Sequence, residues 1–258
     1  MKTIILAGGL PSTLLEQDER VPKPMAEIGG RPILWHIMKQ YAYYGYNDFI
    51  LCTGYKGSVI KDYFMNFYIY QSDITVDLLT NHIEVHRKQT EGWKVCILDT
   101  GLNSSILERL LMAGECLGRE PALVVYGDCL SDIDIGKLAE AHRGAGCAAT
   151  FAVAHPTGRN ETLSVDGDGW YQGMEGAEGG AWVNACSMML EPEAFGCLRE
   201  SMGKQSPKNL IDCIALEHKV KAYRHSGFWS PVETVRDKTW LESLWMAGKA
   251  PWKVWEEK

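Results

Sequence analysis

The sequence predicts an α/β protein whose mostly parallel, Rossmann-like sheet is covered by helices. Three observations carry this reading. Short apolar runs (TIILA, DFILCTG, ALVVYGD, CAATFAVA) alternate with stretches of helical period, and such alternation builds crossover units and hence a parallel sheet. The run ALVVY is apolar throughout, as a strand buried on both faces requires. Two of the runs end in glycine turns, Gly8-Gly9 and Gly127-Asp128. The carboxyl ends of parallel strands are where ligands bind in such sheets.

In chain order, Thr3 to Ala7 form the first strand. Pro32 opens a helix in which Ile33, Leu34, Ile37, Met38 and Tyr41 recur at helical spacing. DFILCTGY reads as a strand ending in a Gly-Tyr-Lys-Gly turn, and SVIKDYFMNFYIY as a helix whose Phe, Tyr and Met residues make a core stripe. Residues 72–101 alternate apolar and polar side chains without a helical period, which predicts two or three antiparallel strands set apart from the main sheet. ALVVY is the next buried strand, DIGKLAEAHRGAG a helix closed by glycine, and CAATFAVA a further strand. Beyond residue 165 a β-rich, glycine-rich section leads into a helical tail. No repeat or linker interrupts the chain. The expectation is one domain over 1–258, with a β excursion at about 65–98 and a C-terminal helical tail at about 236–258.

A chain of 258 residues can bury a substantial core. Its 46% hydrophobic and 23% charged content is that of a soluble globular protein. A net charge of −7 argues against a protein built to hold nucleic acid, though a local pocket for a nucleotide remains compatible with it. None of the eight cysteines is spaced Cys-x-x-Cys, so no local zinc or dithiol signature is present. Several lie in apolar strand-like runs, where a thiol packs as a small hydrophobe. No run approaches the ~20 apolar residues that span a bilayer, and Lys2 leads straight into a strand rather than a leader. A reduced, cytoplasmic protein without membrane attachment is expected.

Three stretches raise the first glycine turn above the commonplace. PKPM holds Lys23 between prolines, within reach of the Gly8-Gly9 loop. YGD puts Asp128 at a strand end, and GFWSPVETVRD brings a second carboxylate, Glu233, in a proline-stiffened loop. Two carboxylates that hold Mg²⁺ against phosphates are a common arrangement. Each has a plainer explanation: Asp128 could cap the turn it precedes, and Glu233 could pair with Arg236. Cys129, next to Asp128, reads as a packed thiol rather than a nucleophile, because no histidine is assigned beside it.

Together LAGG, PKPM, GGRPILWHIMKQY, GYKG, YGDCLSDIDI, GFWSPVETVRDK and GKAPWKVWE resemble the bacterial glucose-1-phosphate cytidylyltransferases, members of the sugar-phosphate nucleotidyltransferase family, over nearly the whole chain. The resemblance implies a nucleotidyltransferase sheet and the reaction of CTP with a sugar 1-phosphate to give a CDP-sugar and pyrophosphate, with Mg²⁺. It implies nucleotide binding by Leu6, Ala7, Gly8, Gly9, Lys23, Arg109 and Asp128, with Lys23 and Asp128 catalytic. Asn184 and Glu175 would stand at the sugar phosphate, Asp128 and Glu233 at the metal. A homo-oligomer built through the β excursion is implied as well.

The same resemblance makes several departures visible. Where the family continues LAGG with Leu-Gly-Thr-Arg-Leu, this chain has Leu10, Pro11, Ser12, Thr13 and Leu14. Pro11 removes an N–H and the freedom of a glycine, and Thr13 replaces an arginine that faces the leaving pyrophosphate. Val21 stands where the family has a second lysine, with Arg20 or Arg109 as substitute cations. Ile106, Leu107 and Glu108 replace small residues near the base, Glu175 replaces a phosphate-gripping lysine, and Ala185 and Cys186 replace two glycines. Removing one preorganised donor costs on the order of 10²–10³ in rate. From sequence the leading expectation is therefore an inherited fold whose activity is lost or strongly altered, acting as a binding or assembly module. The alternative is an active nucleotidyltransferase with a remodelled site.

Overall fold

The computed structural model describes residues 1–9, 21–87, 91–155, 162–175, 182–202 and 209–255. In chain order its elements are β1 (Lys2–Leu6), a 3-10 turn (Lys23–Met25), β2 (Glu27–Ile28), β3 (Arg31–Pro32), α1 (Ile33–Tyr43), β4 (Asp48–Thr53), α2 (Gly57–Tyr70), β5 (Asp73–Asp77), β6 (His82–Arg87), β7 (Lys94–Asp99), α3 (Ile106–Gly114) and β8 (Ala122–Tyr126). There follow β9 (Cys129–Ser131), α4 (Ile135–Ala145), β10 (Ala149–Ala154), β11 (Thr162–Val165), β12 (Tyr171–Glu175), β13 (Val183–Leu190), α5 (Pro192–Ser201), α6 (Leu210–Ala215), β14 (Val220–Arg224), β15 (Trp229–Pro231) and α7 (Val235–Met246).

Among the described residues the main sheet has seven strands in the order β14-β10-β13-β8-β1-β4-β7. β1 runs parallel to β4 and β8, β4 parallel to β7, and β10 parallel to β14. β13 is antiparallel to both of its neighbours, β8 and β10. The mostly parallel, helix-covered sheet expected from the apolar runs is what forms, with this one reversed strand inside it.

Strand alternation feeds two cores. Ile5 and Ala7 of the first strand and Leu123 and Val125 of β8 point into one, with Ile33, Leu34, Ile37 and Met38 of α1 and Ile135 and Ala139 of α4. Ile4, Leu6, Ala122 and Val124 point into the other, with Leu110 of α3, Leu198 of α5 and Ile211 of α6. Connections that leave β1 and enter β8 lie on opposite faces, so a crevice opens outside the carboxyl ends of these two strands.

Two elements differ from the sequence expectation. In the 72–101 stretch only β5 and β6 form a hairpin of their own, with Ile74 opposite Val85. Lys94–Asp99 instead joins the main sheet, parallel to β4. As the edge strand its inner residues Val95 to Leu98 are only half-buried, Val95 and Ile97 against one core and Cys96 and Leu98 against the other, so its sequence did not set it apart from the hairpin. The tail after α7 is not helical throughout. It turns back so that Trp252 and Trp255 are buried near Trp35 and His36 of α1. Trp252 Nε1 donates to His36 Nδ1 at 3.3 Å, and His36 Nε2 donates to the Ile28 carbonyl at 2.8 Å. Glu242 of α7 accepts from Gly29 N at 2.9 Å. The tail thereby clamps the β2–β3 hairpin that follows the Lys23 turn.

Candidate active site

The first strand ends in Leu6 and Ala7, both buried, and Gly8 and Gly9 continue beyond the sheet edge. The backbone of β8 closes onto this end: Gly127 N donates to Leu6 O at 3.0 Å. A Cβ on Gly127 would stand 3.0 Å from that same carbonyl oxygen and 3.2 Å from Pro24 Cγ, so a side chain here would press the two strand ends and the Lys23 turn apart. The turn itself is a single 3-10 turn with Pro24 in its first positions and Pro24 and Met25 buried.

These contacts aim Lys23 across the crevice. Its Nζ lies 2.7 Å from Asp128 Oδ2, with both side chains partly exposed. β9 pairs antiparallel with β15, Pro231 opposite Cys129, and Val232 N donates to Asp128 O at 2.8 Å. This pairing delivers Glu233 to the Asp128 side of the crevice. Glu233 is exposed, and among the described residues no hydrogen bond or ion pair engages its carboxylate, including any from Arg236. Below it, Asp132 Oδ1 accepts from Phe228 N at 2.6 Å and faces His225 Nε2 at 2.9 Å, which braces the loop that carries Glu233. Neither Asp132 nor His225 was singled out in the sequence, because their 93-residue separation carries no local signal.

Asp128 and Glu233 are hard oxygen donors at a glycine-lined crevice. Mg²⁺ is held in this way by one or two carboxylates plus phosphates and water, so the residues present fit that ion.

Arg109 is placed differently from what the resemblance implies. It is 3% exposed. Its guanidinium donates to Thr53 O at 3.0 Å, Thr100 Oγ1 at 2.5 Å, Ser104 O at 3.1 Å and Leu102 O at 3.3 Å. Its donors are turned to protein oxygens beneath Gly8, so it offers no free fork to a phosphate. Among the described residues no carboxylate forms a salt bridge with it, although Glu108 and Asp99 act on its charge from nearby.

Ile106, Leu107 and Glu108 stand at the start of a helix. They form the first turn of α3, where Ser105 Oγ accepts from Glu108 N at 3.2 Å and Glu108 Oε2 accepts from Ser105 N at 2.6 Å. This is a capping box, and the hydrogen bond from the Ser105 N–H holds the Glu108 carboxyl below the usual range. The Ser-x-x-Glu spacing was there to be read in the sequence.

Asn184 opens β13 at the same edge of the sheet. Its Oδ1 accepts from Cys186 N at 2.9 Å, and Cys186 has φ of +67°. The left-handed backbone that a glycine would adopt is thus kept with a cysteine, held by the Asn184 side chain. Cys186 also hydrogen-bonds Cys129, which with burial pushes the Cys129 thiol well up. A thiol so protonated is packing, not a nucleophile. Glu175 ends β12, and its side chain, like Pro11, Thr13 and Arg20, lies outside the described residues.

The family model described as Nucleotidyl transferase matches residues 2–162. The chain belongs to that family. It is 42% identical over 258 residues to a glucose-1-phosphate cytidylyltransferase of Salmonella typhi, covering 99% of this chain and 100% of that one. A probable glucose-1-phosphate cytidylyltransferase of Bacillus subtilis (strain 168) is 35% identical over 256 residues, at the same coverage. Among solved structures, a putative glucose-1-phosphate thymidylyltransferase from Bacillus anthracis in complex with a sucrose superimposes with a TM-score of 0.74 at 15% identity, covering 100% of this chain and 98% of that one. This nucleotidyltransferase family member thus shares its whole length with cytidylyltransferase relatives and its fold with more distant ones.

Proposed function

We propose that the protein is an active sugar 1-phosphate cytidylyltransferase, joining the CMP part of CTP to a sugar 1-phosphate with release of pyrophosphate. The observation that carries this reading is the 2.7 Å pair of Lys23 and Asp128 at the joined ends of β1 and β8, with Glu233 brought alongside. Such transfer is largely positioning and charge neutralisation around an in-line displacement. Asp128 and Glu233 would hold Mg²⁺, which when bound neutralises phosphate charge. Lys23, which pairs with Asp128 in the structure, would supply an ammonium to phosphate oxygens. Gly8 and Gly9 offer backbone N–H groups, and Arg109 adds a buried positive charge under them. Asn184 would stand on the acceptor side of the crevice.

Two supports for the expectation of a lost activity fall away here. The 106–109 segment is a capped helix start, and Cys186 keeps a glycine-like backbone. The relatives lend that expectation no support either. Calorimetric titration with CTP, with and without Mg²⁺ and with UTP, dTTP and ATP alongside, tests the proposal. Magnesium-dependent binding that favours CTP is expected, and absence of binding to any nucleotide would remove the reading.

We further propose a homo-oligomer formed through the β5–β6 hairpin. Leu78 and Leu79 at its tip are 84% and 94% exposed, and Val76, Ile83, Met65 and Tyr70 extend the apolar strip. A patch of this kind marks a contact surface. All eight cysteines are free thiols, which supports placement in a reducing, cytoplasmic setting. Among the described residues no helix is long and apolar enough to cross a membrane.

A further inference from the structure

Far from the crevice, a cysteine of α5 faces the turn that joins α6 to β14. Cys197 is buried against the sheet-covering side of its helix, and its Sγ lies 3.7 Å from Glu217 Oε2. The next residue, His218, brings a third group. One ligand atom from each of Cys197, Glu217 and His218 lies within 4.8 Å of the others. The turn that presents the last two is fixed by backbone bonds from Glu217 N and His218 N to Ile214 O, at 3.2 and 3.0 Å. Among the described residues the His218 ring has no hydrogen-bond partner, and Glu217 has only the thiol.

We propose that Cys197, Glu217 and His218 form a zinc site, with the fourth position left to water. The ligand types select the ion. A thiolate and an imidazole are borderline-soft donors that suit Zn²⁺ and are poor for Mg²⁺, so this site does not compete for the ion of the crevice. Zinc bonds of about 2.3 Å to sulfur and about 2.0–2.1 Å to nitrogen and oxygen bring ligand atoms closer than they stand here. The needed contraction falls on Glu217, which is exposed, and His218, which is half-buried, both free to change rotamer. The buried sulfur need not move. On binding, the Cys197 S–H proton leaves to solvent and the sulfur takes the metal in its place. The bound ion ties α5 to the segment that feeds the edge strand β14, a stabilising clip on the rim of the sheet away from the substrate crevice. Sequence spacing hides it, since Cys197 is 20 residues from Glu217.

The test uses the whole reduced protein, stripped of metal with a chelator and titrated with Co²⁺ as a spectroscopic stand-in for Zn²⁺. A sulfur-to-cobalt charge-transfer band that saturates at one ion per chain, and that Zn²⁺ bleaches, is expected. Cys197→Ser should abolish the band, and His218→Gln or Glu217→Gln should weaken binding roughly tenfold or more. The latter two keep the test open if Cys197→Ser fails to fold, since neither side chain is part of the core. Zn²⁺ should raise the melting temperature of the parent protein more than that of His218→Gln at the same metal concentration. A band that persists in Cys197→Ser, that disappears in Cys129→Ser instead, or that never forms would overturn the proposal.

Discussion

The Arg109 guanidinium fills the space that a side chain at position 8 would need: a Cβ on Gly8 would collide with Arg109 Nη1. Gly54 is confined in the same way, its Cβ position 3.0 Å from that nitrogen and 2.9 Å from Gly101 O. The glycine loop after β1 is therefore shaped from beneath by a buried cation as well as from above by any ligand.

Gly8→Ala is expected to destabilise the fold by about 1–3 kcal/mol through overpacking. Arg109→Met should also destabilise, by about 1–3 kcal/mol, because the Ser104 carbonyl loses its donor, while Thr53 O keeps its bonds from Thr100 N and Thr100 Oγ1. In the Arg109→Met background the alanine at position 8 should cost less than in the parent, the Thr53 backbone carbon 3.1 Å from its Cβ remaining in place. Urea unfolding of the two single variants and the double variant measures that coupling, and simple additivity would count against the contact.

Lys23→Met and Asp128→Asn should each lower turnover by on the order of 10²–10³. The double variant should fall little further, because the two side chains act as a unit. Their pair is partly exposed, so either change should alter unfolding stability by no more than about 1 kcal/mol. Steady-state rates beside urea midpoints separate the two effects.

His36 sets an acid limb on stability. Burial lowers its pKa from 6.5 to about 4, and protonation of Nδ1 would break the bond from Trp252. Between these two values the unfolded chain carries more protons than the folded one, so stability rises with pH across that window. The contribution is complete above pH 6.5 and is lost as pH falls through about 4. Its size is about 3 kcal/mol. In His36→Gln the difference in unfolding free energy between pH 7 and pH 4.5 should shrink accordingly. An unchanged acid limb would show that His36 takes up its proton alike in the folded and unfolded chains.

Leu79→Asp places a charge on a fully projecting hairpin tip. It should shift the protein to a smaller species in light scattering while leaving its circular dichroism and melting temperature close to those of the parent. An unchanged mass at equal concentration would place the subunit contact elsewhere.

Much of this fold was legible because local signals agreed. TIILA, ALVVYGD and CAATFAVA could only be buried strands, and Gly146, at φ of +58°, ends α4 where the sequence puts the glycine. The Lys23 turn and Asp128 were legible through proline and glycine spacing. Arg109 was not, because whether an arginine faces ligand or protein depends on which carbonyls surround it, and those come from β4, Thr100 and the loop before α3. The reversed strand β13 was equally hidden. Its apolar run reads the same in either direction, and only its pairing with β8 and β10 sets its sense.

The most direct test of the central claim is formation of CDP-sugar, followed with released pyrophosphate, when the purified protein is given CTP, Mg²⁺ and glucose 1-phosphate, with other sugar 1-phosphates run in parallel. Equimolar CDP-sugar and pyrophosphate, abolished by Asp128→Asn, is the predicted result. A folded protein that yields neither product with any acceptor, and whose Asp128→Asn variant is indistinguishable from it, would contradict the account.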